Sequence, residues 1–389
     1  MLLEVASKHR NDIIKKIVIV RERYLENAVK EVWVSTNIEG RMPRSIAGID
    51  GSSVKVDFQG FTLYGIDAIA ILYNDVKGLK YSNSKAYAIA DLDVLIPPRA
   101  KERIDMYREI IEAKTALITI LENDVEVLLM DGSLKSVLIT PSIEPIVVAM
   151  NKVSATFGDQ IYLKLYNMLS ESLRNYNELR ERPLVSKLLA MDEGGILTEE
   201  DYLATAFLEY IEKLESYRRL LLKCFEKGTL LAFVSKTGRS QAYFADISKK
   251  LRRYIPADIM VFQNLTSSSG YSKPKVDDKP LKGMPNILSL REFYDKLRIA
   301  VTYIRLDDGG PILKLEIPYV GNVSTLTIEE DILRLLSYLK NISPQGYPYV
   351  LLEAHELSRI SKDTINSIIY SLDLIPQRTG REVIEGWMI

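Results

Sequence analysis

Short apolar runs that end at turn residues predict the β-strands of this chain. An apolar run of about four to eight residues closed by Gly, Pro, Asn or Asp is typical of a buried strand. The predicted strands are 46–58, 61–73, 84–96, 125–131, 229–235, 298–306, 311–319 and 348–353. Gln59-Gly60 joins the first two as a tight hairpin, and the stretch from Asp307 to Gly310 joins another adjacent pair.

Apolar residues that recur at helical spacing among charged residues predict the helices. The predicted helical segments are 3–36, 99–122, most of 144–227 with a break at 192–198, 327–341 and 356–372. The stretches 37–45 and 264–286, which are rich in turn-forming residues, are predicted to be a linker and a loop. From residue 46 to residue 131 the order is strand, strand, strand, helix, strand. This order predicts an α/β fold with a mixed β-sheet flanked by helices.

Composition narrows the class of protein and the kinds of site that it can hold. The chain has 389 residues, of which 47% are apolar and 26% charged, as in soluble globular proteins with a large core. No apolar run reaches the roughly 18 residues of a membrane-spanning helix, so we expect no membrane association. The single cysteine, Cys224, excludes disulfides and cysteine zinc sites and indicates a reducing, cytoplasmic compartment. With only His9 and His355, a metal would be held mainly by oxygen, which favours Mg²⁺ or Mn²⁺.

The tripeptide Asp-Gly-Ser occurs twice, each time at the end of an apolar run. Asp50-Gly51-Ser52 closes a run in the first strand segment, and Asp131-Gly132-Ser133 closes the segment 125–131. Carboxylates at the ends of core strands can share a divalent metal ion. An Asp-Gly pair is also a common turn signal. Two copies with a helix between them favour metal-dependent chemistry over two ordinary turns.

Acidic residues on the helix at 99–122 offer a third carboxylate for such a site. Asp105, Glu109 and Glu112 have the spacing i, i+4, i+7 and therefore lie near one side of this helix, beside its apolar stripe. Carboxylates that converge at one sheet edge repel each other unless cations neutralise them. Two Mg²⁺ or Mn²⁺ ions would do so, and two-metal sites suit in-line displacement at phosphorus. The alternative is that the helix acids face water.

Two further residues follow predicted strands and suit the same chemistry. Lys236 follows the strand 229–235, where a lysine can bind a phosphate or stabilise the charge that develops on it. The glycine spacing of a P-loop is absent there. His355 follows the strand 348–353, where one histidine can bind a metal beside carboxylates or transfer protons. A solvated loop lysine and a structural histidine are the alternative interpretations.

Binding of DNA would depend on local basic patches, because the formal net charge is only −1. The candidate basic residues are Lys249, Lys250, Arg252 and Arg253 on a predicted helix, and Lys273, Lys275 and Lys279 in the following loop. Tyr347 and Tyr349 could line the path of a strand by stacking on its bases. The alternative is that these residues form ordinary solvated surface.

The order of strands and acids resembles that of the ribonuclease H-like superfamily, and four stretches resemble more specifically the NurA family of archaeal and bacterial DNA-end nucleases. These stretches are Gly48–Ser52, Leu129–Leu134, Ser235–Thr237, and Tyr347–Tyr349 leading to Ala354-His355. The resemblance implies a ribonuclease H-like mixed sheet and a Mn²⁺- or Mg²⁺-dependent nuclease that acts on single- and double-stranded DNA ends. It also implies 5′ to 3′ degradation, cleavage of single strands, and a homodimer docked on a HerA-like hexameric ATPase.

The resemblance further implies roles for individual residues. The matching residues are Asp50 and Asp131 as metal-binding aspartates, His355 as the C-terminal site histidine, and Lys236 as the lysine after a strand. The helix glutamate of the family follows an arginine at short distance, which fits Glu112 best and leaves Glu109 open. The metal ligands would therefore be Asp50, Glu112, Asp131 and His355.

We expect the chain to comprise an N-terminal helix and linker at 1–45 and a nuclease domain at 46–389. A helical insertion at about 155–228 makes the middle of this domain longer than the core requires. Two other functions stay open. One is a structure-specific nuclease of the same fold, of the junction or transposase-like kind. The other is a catalytically inactive adaptor for a DNA translocase, against which the presence of both Asp50 and Asp131 argues.

Overall fold

The described part of the chain forms one large mixed sheet with helices on both faces. The computed structural model describes residues 1–12, 23–77, 80–95, 100–138, 160–174, 180–181, 183–187, 202–251, 255–278, 281 and 287–374. Its strands are β1 (Trp33–Ser35), β2 (Ser45–Asp57), β3 (Thr62–Lys77), β4 (Lys80–Leu95), β5 (Val127–Asp131), β6 (Leu230–Ser235), β7 (Gly270–Ser272), β8 (Lys275–Asp277), β9 (Leu297–Arg305) and β10 (Ile312–Val320). Its helices are α1 (Leu2–Lys8), α2 (Arg23–Val32), α3 (Ala100–Glu122), α4 (Leu134–Leu138), α5 (Gln160–Ser172), α6 (Tyr202–Lys227), α7 (Ala245–Leu251), α8 (Asp258–Leu265), α9 (Leu288–Tyr294), α10 (Thr325–Ile342), α11 (Tyr349–Ser358) and α12 (Lys362–Ser371). The strand order is β1-β7-β9-β10-β6-β5-β2-β3-β4, with β8 paired to β9.

A long antiparallel meander forms one end of the sheet. β2 pairs with β3 and β3 pairs with β4, which confirms the three consecutive predicted strands. The N–H of Phe58 donates to the carbonyl of Phe61 at 2.8 Å and closes the predicted hairpin around Gln59-Gly60. Because β2 is 13 residues long, Asp50 lies in its middle rather than at its end.

The centre of the sheet is parallel and buried on both faces. β5 lies between β2 and β6 and pairs parallel with each of them. All residues of β6 are buried, and all of β5 except its last. Strands covered on both faces have continuous apolar sequences, and the predictions at 125–131 and 229–235 are confirmed. Since parallel neighbours end at the same edge, Asp131 and Lys236 reach the edge beside Asp50.

Side chains alternate between the two faces of the sheet, and each face packs on its own helices. Ile49, Met130 and Phe233 belong to the core cluster that includes the apolar side chains of α3 and α6. Ile46 and Leu129 belong to the cluster on the opposite face, which α10 and α11 cover. α6 lies along α3. The helical segment predicted as an insertion therefore contributes to the core through α6.

The predicted strand at 348–353 is wrong, because Tyr349–Ser358 forms the helix α11. Pro348 is the N-cap residue, where its restricted φ suits entry into a helix. Four residues along the helix are buried, namely Val350, Leu351, Ala354 and Ser358. An apolar run this short fits a strand and a buried helix equally well by periodicity alone. His355 consequently lies within a helix and not after a strand.

Other predicted elements are confirmed in part. The segment 3–36 contains α1 and α2, but its C-terminal end forms β1, which joins the sheet by pairing with β7. The predicted loop 264–286 contains β7 and β8. Each of these strands has three residues, which are too few to show the alternation of apolar and polar residues that predicts a strand. The predicted break at 192–198 and the residues Arg252, Arg253 and Lys279 lie outside the described residues. Among the described helices, none has the uninterrupted apolar length that a bilayer crossing requires.

Candidate metal centre

Asp50 and Asp131 lie side by side where the pairing of β2 with β5 ends. The register pairs Ile49 with Met130, so the two aspartates form the next opposed pair. By alternation along the strands, both carboxylates leave the sheet on the face that α11 covers. Asp50 is only 7% exposed. Burial raises the pKa of Asp50 and the charge of Asp131 raises it further, whereas hydrogen bonding to His355 opposes the shift.

His355 completes a three-residue cluster with these aspartates. Its Nδ1 lies 2.7 Å from Asp50 Oδ2, and its side chain is 47% exposed. Asp50, Asp131 and His355 each offer one ligand atom, and these atoms lie within 4.8 Å of one another. Two atoms that bind the same ion at about 2.1 Å are up to about 4.2 Å apart, so small side-chain movements would let all three share an ion. Two carboxylates and one imidazole form a donor set that fits Mn²⁺.

The close approach of α11 to β2 depends on a glycine. A Cβ atom at Gly48 would lie 2.8 Å from both the carbonyl carbon and the carbonyl oxygen of Val350. The missing side chain therefore lets the helix backbone rest directly on the strand. With Val350 and Ala354 buried against the sheet, His355 extends toward the partly open edge where Asp50 lies.

Glu112 approaches the same part of β2 from the opposite face of the sheet. A Cβ atom at Gly51 would lie 2.7 Å from Glu112 Oε1, so this glycine makes room for the carboxylate. Glu112 is 6% exposed, and its Oε1 is 2.8 Å from Arg108 Nη1. Burial raises the pKa of Glu112 to about 8, and the charges of Asp50 and Asp131 add to the effect of burial, while Arg108 opposes it.

Glu109, the other candidate on α3, has a different partner. Its Oε2 lies 3.0 Å from the Nζ of Lys213 on α6. The same ammonium donates to the carbonyl oxygen of Val137 at 2.7 Å. These contacts hold the Glu109 carboxylate on the α6 side of the helix. Glu112 is therefore the helix acid that lies against β2 at Gly51.

Lys236 and Tyr347 lie next to Asp131. Lys236 Nζ is 3.8 Å from Asp131 Oδ2 and 4.8 Å from the centre of the Tyr347 ring. The lysine side chain is 45% exposed. Burial raises the pKa of Tyr347, and the neighbouring Asp131 carboxylate raises it further. Tyr349, the first residue of α11, is exposed. The structure thus brings Lys236 and Tyr347 to the cluster and leaves Tyr349 on the surface.

Asp67 is an acid near the cluster that sequence reasoning missed. It lies opposite Ser52 in the β2–β3 register, and its Oδ1 accepts the Ser52 N–H at 3.3 Å. Burial raises the pKa of Asp67 to about 6, and the charge of Asp50 contributes to the increase. The available signal is an acid within the apolar stretch Ile66-Asp67-Ala68, since charged residues are rare in core strands.

The predicted basic patch is only partly within the described residues. Lys249 and Lys250 are exposed on α7. Within the described part of the chain, no hydrogen bond or ion pair joins them to the carboxylate cluster. Lys275 donates to the carbonyl of Tyr243, and its Nζ lies 4.8 Å from the centre of that ring. The role of these lysines in DNA binding stays a prediction.

The family model of the NurA domain matches residues 44–360. The chain belongs to the NurA family. It is 27% identical over 390 residues to the probable DNA double-strand break repair nuclease NurA of Methanocaldococcus jannaschii. The matched region covers 96% of this chain and 90% of that protein. It is 25% identical to the DNA double-strand break repair nuclease NurA of Saccharolobus solfataricus, with 93% of this chain and 90% of that protein covered.

The fold agrees with that of a solved NurA structure. A crystal structure of NurA bound to dAMP and manganese matches with a TM-score of 0.70 and 16% identity, covering 96% of this chain and 98% of that one. At this identity the match shows the fold alone. The predicted α/β fold is confirmed as a large mixed sheet flanked by helices, consistent with a ribonuclease H-like order. The resemblance to NurA is confirmed as well.

Proposed function

We propose that this NurA protein is a Mn²⁺-dependent deoxyribonuclease that processes DNA ends in double-strand break repair. The observation that carries the proposal is the cluster of Asp50, Asp131 and His355, with Glu112 beside it. The names of two relatives support the activity, since both are called double-strand break repair nucleases. The NurA structure that holds dAMP and manganese supports a metal-dependent reaction at a nucleotide.

Four side chains would hold the metal, namely Asp50, Glu112, Asp131 and His355. When bound, Mn²⁺ or Mg²⁺, which we propose as two ions, supplies positive charge that lowers the pKa of water and stabilises charge on the phosphate. Asp50 lies within electrostatic reach of the other three residues, which suits a carboxylate shared by two ions. Burial is the main cause of the raised pKa of Glu112, and the charges of Asp50 and Asp131 raise it further, so a bound cation would offset part of the shift.

Lys236 would bind the phosphate of the substrate and stabilise the charge that develops on it. Its distance of 3.8 Å from Asp131 exceeds that of a direct hydrogen bond, so the ammonium keeps donors for a phosphate oxygen. The Tyr347 ring would hold the ammonium in place by a cation–π contact. Exposed Tyr349 would stack on a base of the bound strand.

We propose four finer features because the chain belongs to the NurA family. They are 5′ to 3′ degradation of DNA ends, endonuclease activity on single strands, a homodimeric state and docking on a HerA-like hexameric ATPase. Lys249 and Lys250, with Arg252 and Arg253, would contact the DNA backbone. The nuclease domain would extend over 46–389, with 1–45 as an N-terminal segment and a helical insertion at about 155–228.

A nuclease assay on end-labelled DNA tests the proposal. Single- and double-stranded substrates would be incubated with the purified chain in Mn²⁺, in Mg²⁺ and in EDTA. We expect cleavage with either metal and none in EDTA. Asp131→Asn should lower the rate by at least about a hundredfold, because it removes a charged ligand from the site. Asp124→Asn is the matched control, since Asp124 is exposed and lies just before the first residue of β5.

Three results would contradict the proposal. Wild-type rates in the Asp131→Asn variant would remove this residue from the site. A failure of the wild-type chain to bind Mn²⁺ in calorimetry would instead favour an inactive adaptor. Nicks confined to branched DNA, without progressive loss from a 5′ end, would assign the site to a structure-specific nuclease.

A further inference from the structure

The serine of the first Asp-Gly-Ser joins the strand that carries Asp50 to the helix that carries His355. Ser52 Oγ donates to the carbonyl oxygen of Ser358 at 2.6 Å and accepts the N–H of Ile360 at 3.2 Å. Ser358 is the last residue of α11, and Ile360 follows two residues later. One hydroxyl thus satisfies a carbonyl at the C-terminal end of this helix and an amide just beyond it.

These bonds matter because a helix end leaves its last carbonyls without partners inside the helix. The residue after α11, Arg359, is extended, so the chain leaves the helix abruptly. Ser358 is fully buried, and its own hydroxyl donates to the carbonyl of His355 at 3.2 Å. The C-terminal turn of α11 therefore depends on Ser52, and His355 lies on this turn.

The serine of the second Asp-Gly-Ser has a corresponding role beside Asp131. Ser133 Oγ donates to Glu316 Oε1 at 2.8 Å and accepts the N–H of Ser136 at 3.2 Å. Glu316 lies on β10 and has no exposed surface. Its other oxygen accepts the N–H of Lys135 at 2.9 Å. The turn that follows Asp131 is thereby fixed to a buried carboxylate two strands away.

We propose that Ser52 and Ser133 are positioning residues of the metal centre. Ser52 sets His355 against Asp50, and Ser133 sets the turn that carries Asp131. The inference rests on the proposed function, because it assigns these serines to a site that binds Mn²⁺. It gives each residue of the repeated tripeptide its own part: the aspartate is a ligand, the first glycine admits Glu112, and the serine fixes the surrounding elements.

Mn²⁺ affinity is the quantity that these serines should control. Loss of the Ser52 hydroxyl leaves the Ser358 carbonyl and the Ile360 amide without this partner, so the last turn of α11 relaxes. Residues that orient metal ligands typically change metal affinity by about 10- to 100-fold. We expect Ser52→Ala to raise the dissociation constant for Mn²⁺ by roughly tenfold or more. Ser53→Ala, at the exposed neighbouring position of the same strand, should leave the constant unchanged.

A shape-matched pair of variants separates the hydroxyl from the packing. Ser52→Thr keeps the hydroxyl and should retain wild-type affinity. Ser52→Val has the shape of threonine but lacks the hydroxyl, so it should behave like Ser52→Ala. Thermal unfolding in EDTA shows whether each variant folds. For the second copy, Ser133→Ala should weaken Mn²⁺ binding by a similar factor, with Ser136→Ala on exposed α4 surface as its control.

A double-mutant cycle tests whether Ser52 acts through His355. If it does, Ser52→Ala should have almost no further effect on Mn²⁺ affinity in a His355→Ala background. Independent, additive losses would overturn the positioning role, because a general loss of stability does not depend on His355. The decisive measurement is therefore whether the effects of Ser52→Ala and His355→Ala on Mn²⁺ affinity add in the double variant.

The outcomes also separate this inference from the proposed function. If wild-type protein binds no Mn²⁺, the proposed function fails and the inference falls with it. If wild-type protein binds Mn²⁺ and Ser52→Ala, folded in EDTA, binds it as tightly as Ser53→Ala, the inference is overturned and the function stands. Should Ser52→Ala not fold, the comparison of Ser52→Thr with Ser52→Val decides in the same way.

Discussion

At the scale of single residues, the titration of Glu112 links stability to pH. Burial raises the pKa of Glu112 to about 8 from its ordinary value of 4.5. Between these pH values the folded protein retains a proton that the unfolded chain has released. The contribution of Glu112 to the free energy of unfolding of the metal-free protein is therefore largest below pH 4.5. It falls as the pH rises toward 8, by up to about 1.4 kcal/mol per pH unit.

We predict that Glu112→Gln removes this loss of stability at high pH. Chemical denaturation in EDTA, at several values between about pH 5 and pH 8, would measure it. The variant should become more stable than wild type toward pH 8, because an amide has no charge to bury. Glu102→Gln is the control and should keep the slope, since Glu102 is exposed in the first turn of the same helix. Parallel curves for wild type and Glu112→Gln would contradict the prediction.

Sequence reasoning named the residues of the proposed centre but left two helix acids open. Asp50 and Asp131 stand out in the sequence because Asp-Gly-Ser marks both positions, and the structure places the two side by side. Glu109 and Glu112 lie on nearly the same side of one helix, so their spacing carries no further information. The deciding contact is Lys213, which lies 104 positions after Glu109 and pairs with it. Such a long-range partner is not visible in a local pattern.

At the scale of elements, the position of α11 on β2 sets the distance between His355 and Asp50. We predict that Gly48→Ala moves the helix away, because the new methyl group would lie 2.8 Å from the Val350 backbone. Overpacking of this kind typically costs about 1–3 kcal/mol of stability. The affinity for Mn²⁺ should fall in parallel, as His355 moves away from the aspartates.

Calorimetric titration with Mn²⁺ and thermal unfolding would measure both effects. Gly65→Ala is the matched control on the neighbouring strand, where the nearest atom to the new methyl group, Val54 Cγ1, is 3.4 Å away. It should be close to neutral in both assays. Equal Mn²⁺ affinity in Gly48→Ala and Gly65→Ala would show that the helix position does not control the cluster.

The elements differ in how far their sequences predict them. β5 and β6 are short apolar runs closed by turn residues, and both were predicted correctly because their burial on two faces makes them continuously apolar. α11 has the same local appearance, yet it forms a helix that packs on β2 and β3. β7 and β8 have too few residues for any pattern. The type of a short element is thus set by its tertiary neighbours.

At the scale of the whole molecule, buried ion pairs join α3, which carries Glu112, to α6. Lys114 donates to Glu212, and both side chains are almost completely buried. Glu212 also accepts the N–H groups of Val185 and Ser186. Removal of one partner from a buried pair leaves the other charge uncompensated. This face of the sheet therefore depends on charges as well as on apolar packing.

We predict that Lys114→Met lowers the free energy of unfolding by about 3–5 kcal/mol, because it leaves the Glu212 carboxylate buried without its ammonium. Denaturant unfolding at neutral pH would measure the change. Lys85→Ala is the control and should shift stability by less than about 0.5 kcal/mol, since Lys85 is exposed and its hydrogen-bond partner among the described residues is Asn123. A loss below 1 kcal/mol in Lys114→Met would show that the pair is not needed for the packing of α6 on α3.

The order of elements predicted the α/β class, but the arrangement of the sheet was beyond a single sequence. β10 lies beside β6 although the two are separated by several elements. The pairing of β1 with β7 likewise joins distant parts of the chain. Hydrophobic periodicity identifies which face of an element is buried and says nothing about its neighbour.

The contact between Asp50 and His355 joins side chains that are 305 positions apart in the chain. During translation the strand with Asp50 leaves the ribosome long before the helix with His355. A nascent chain therefore has an incomplete cluster until residue 355 has passed the exit tunnel. Synthesis itself thus delays the assembly of the cluster until most of the chain has been made.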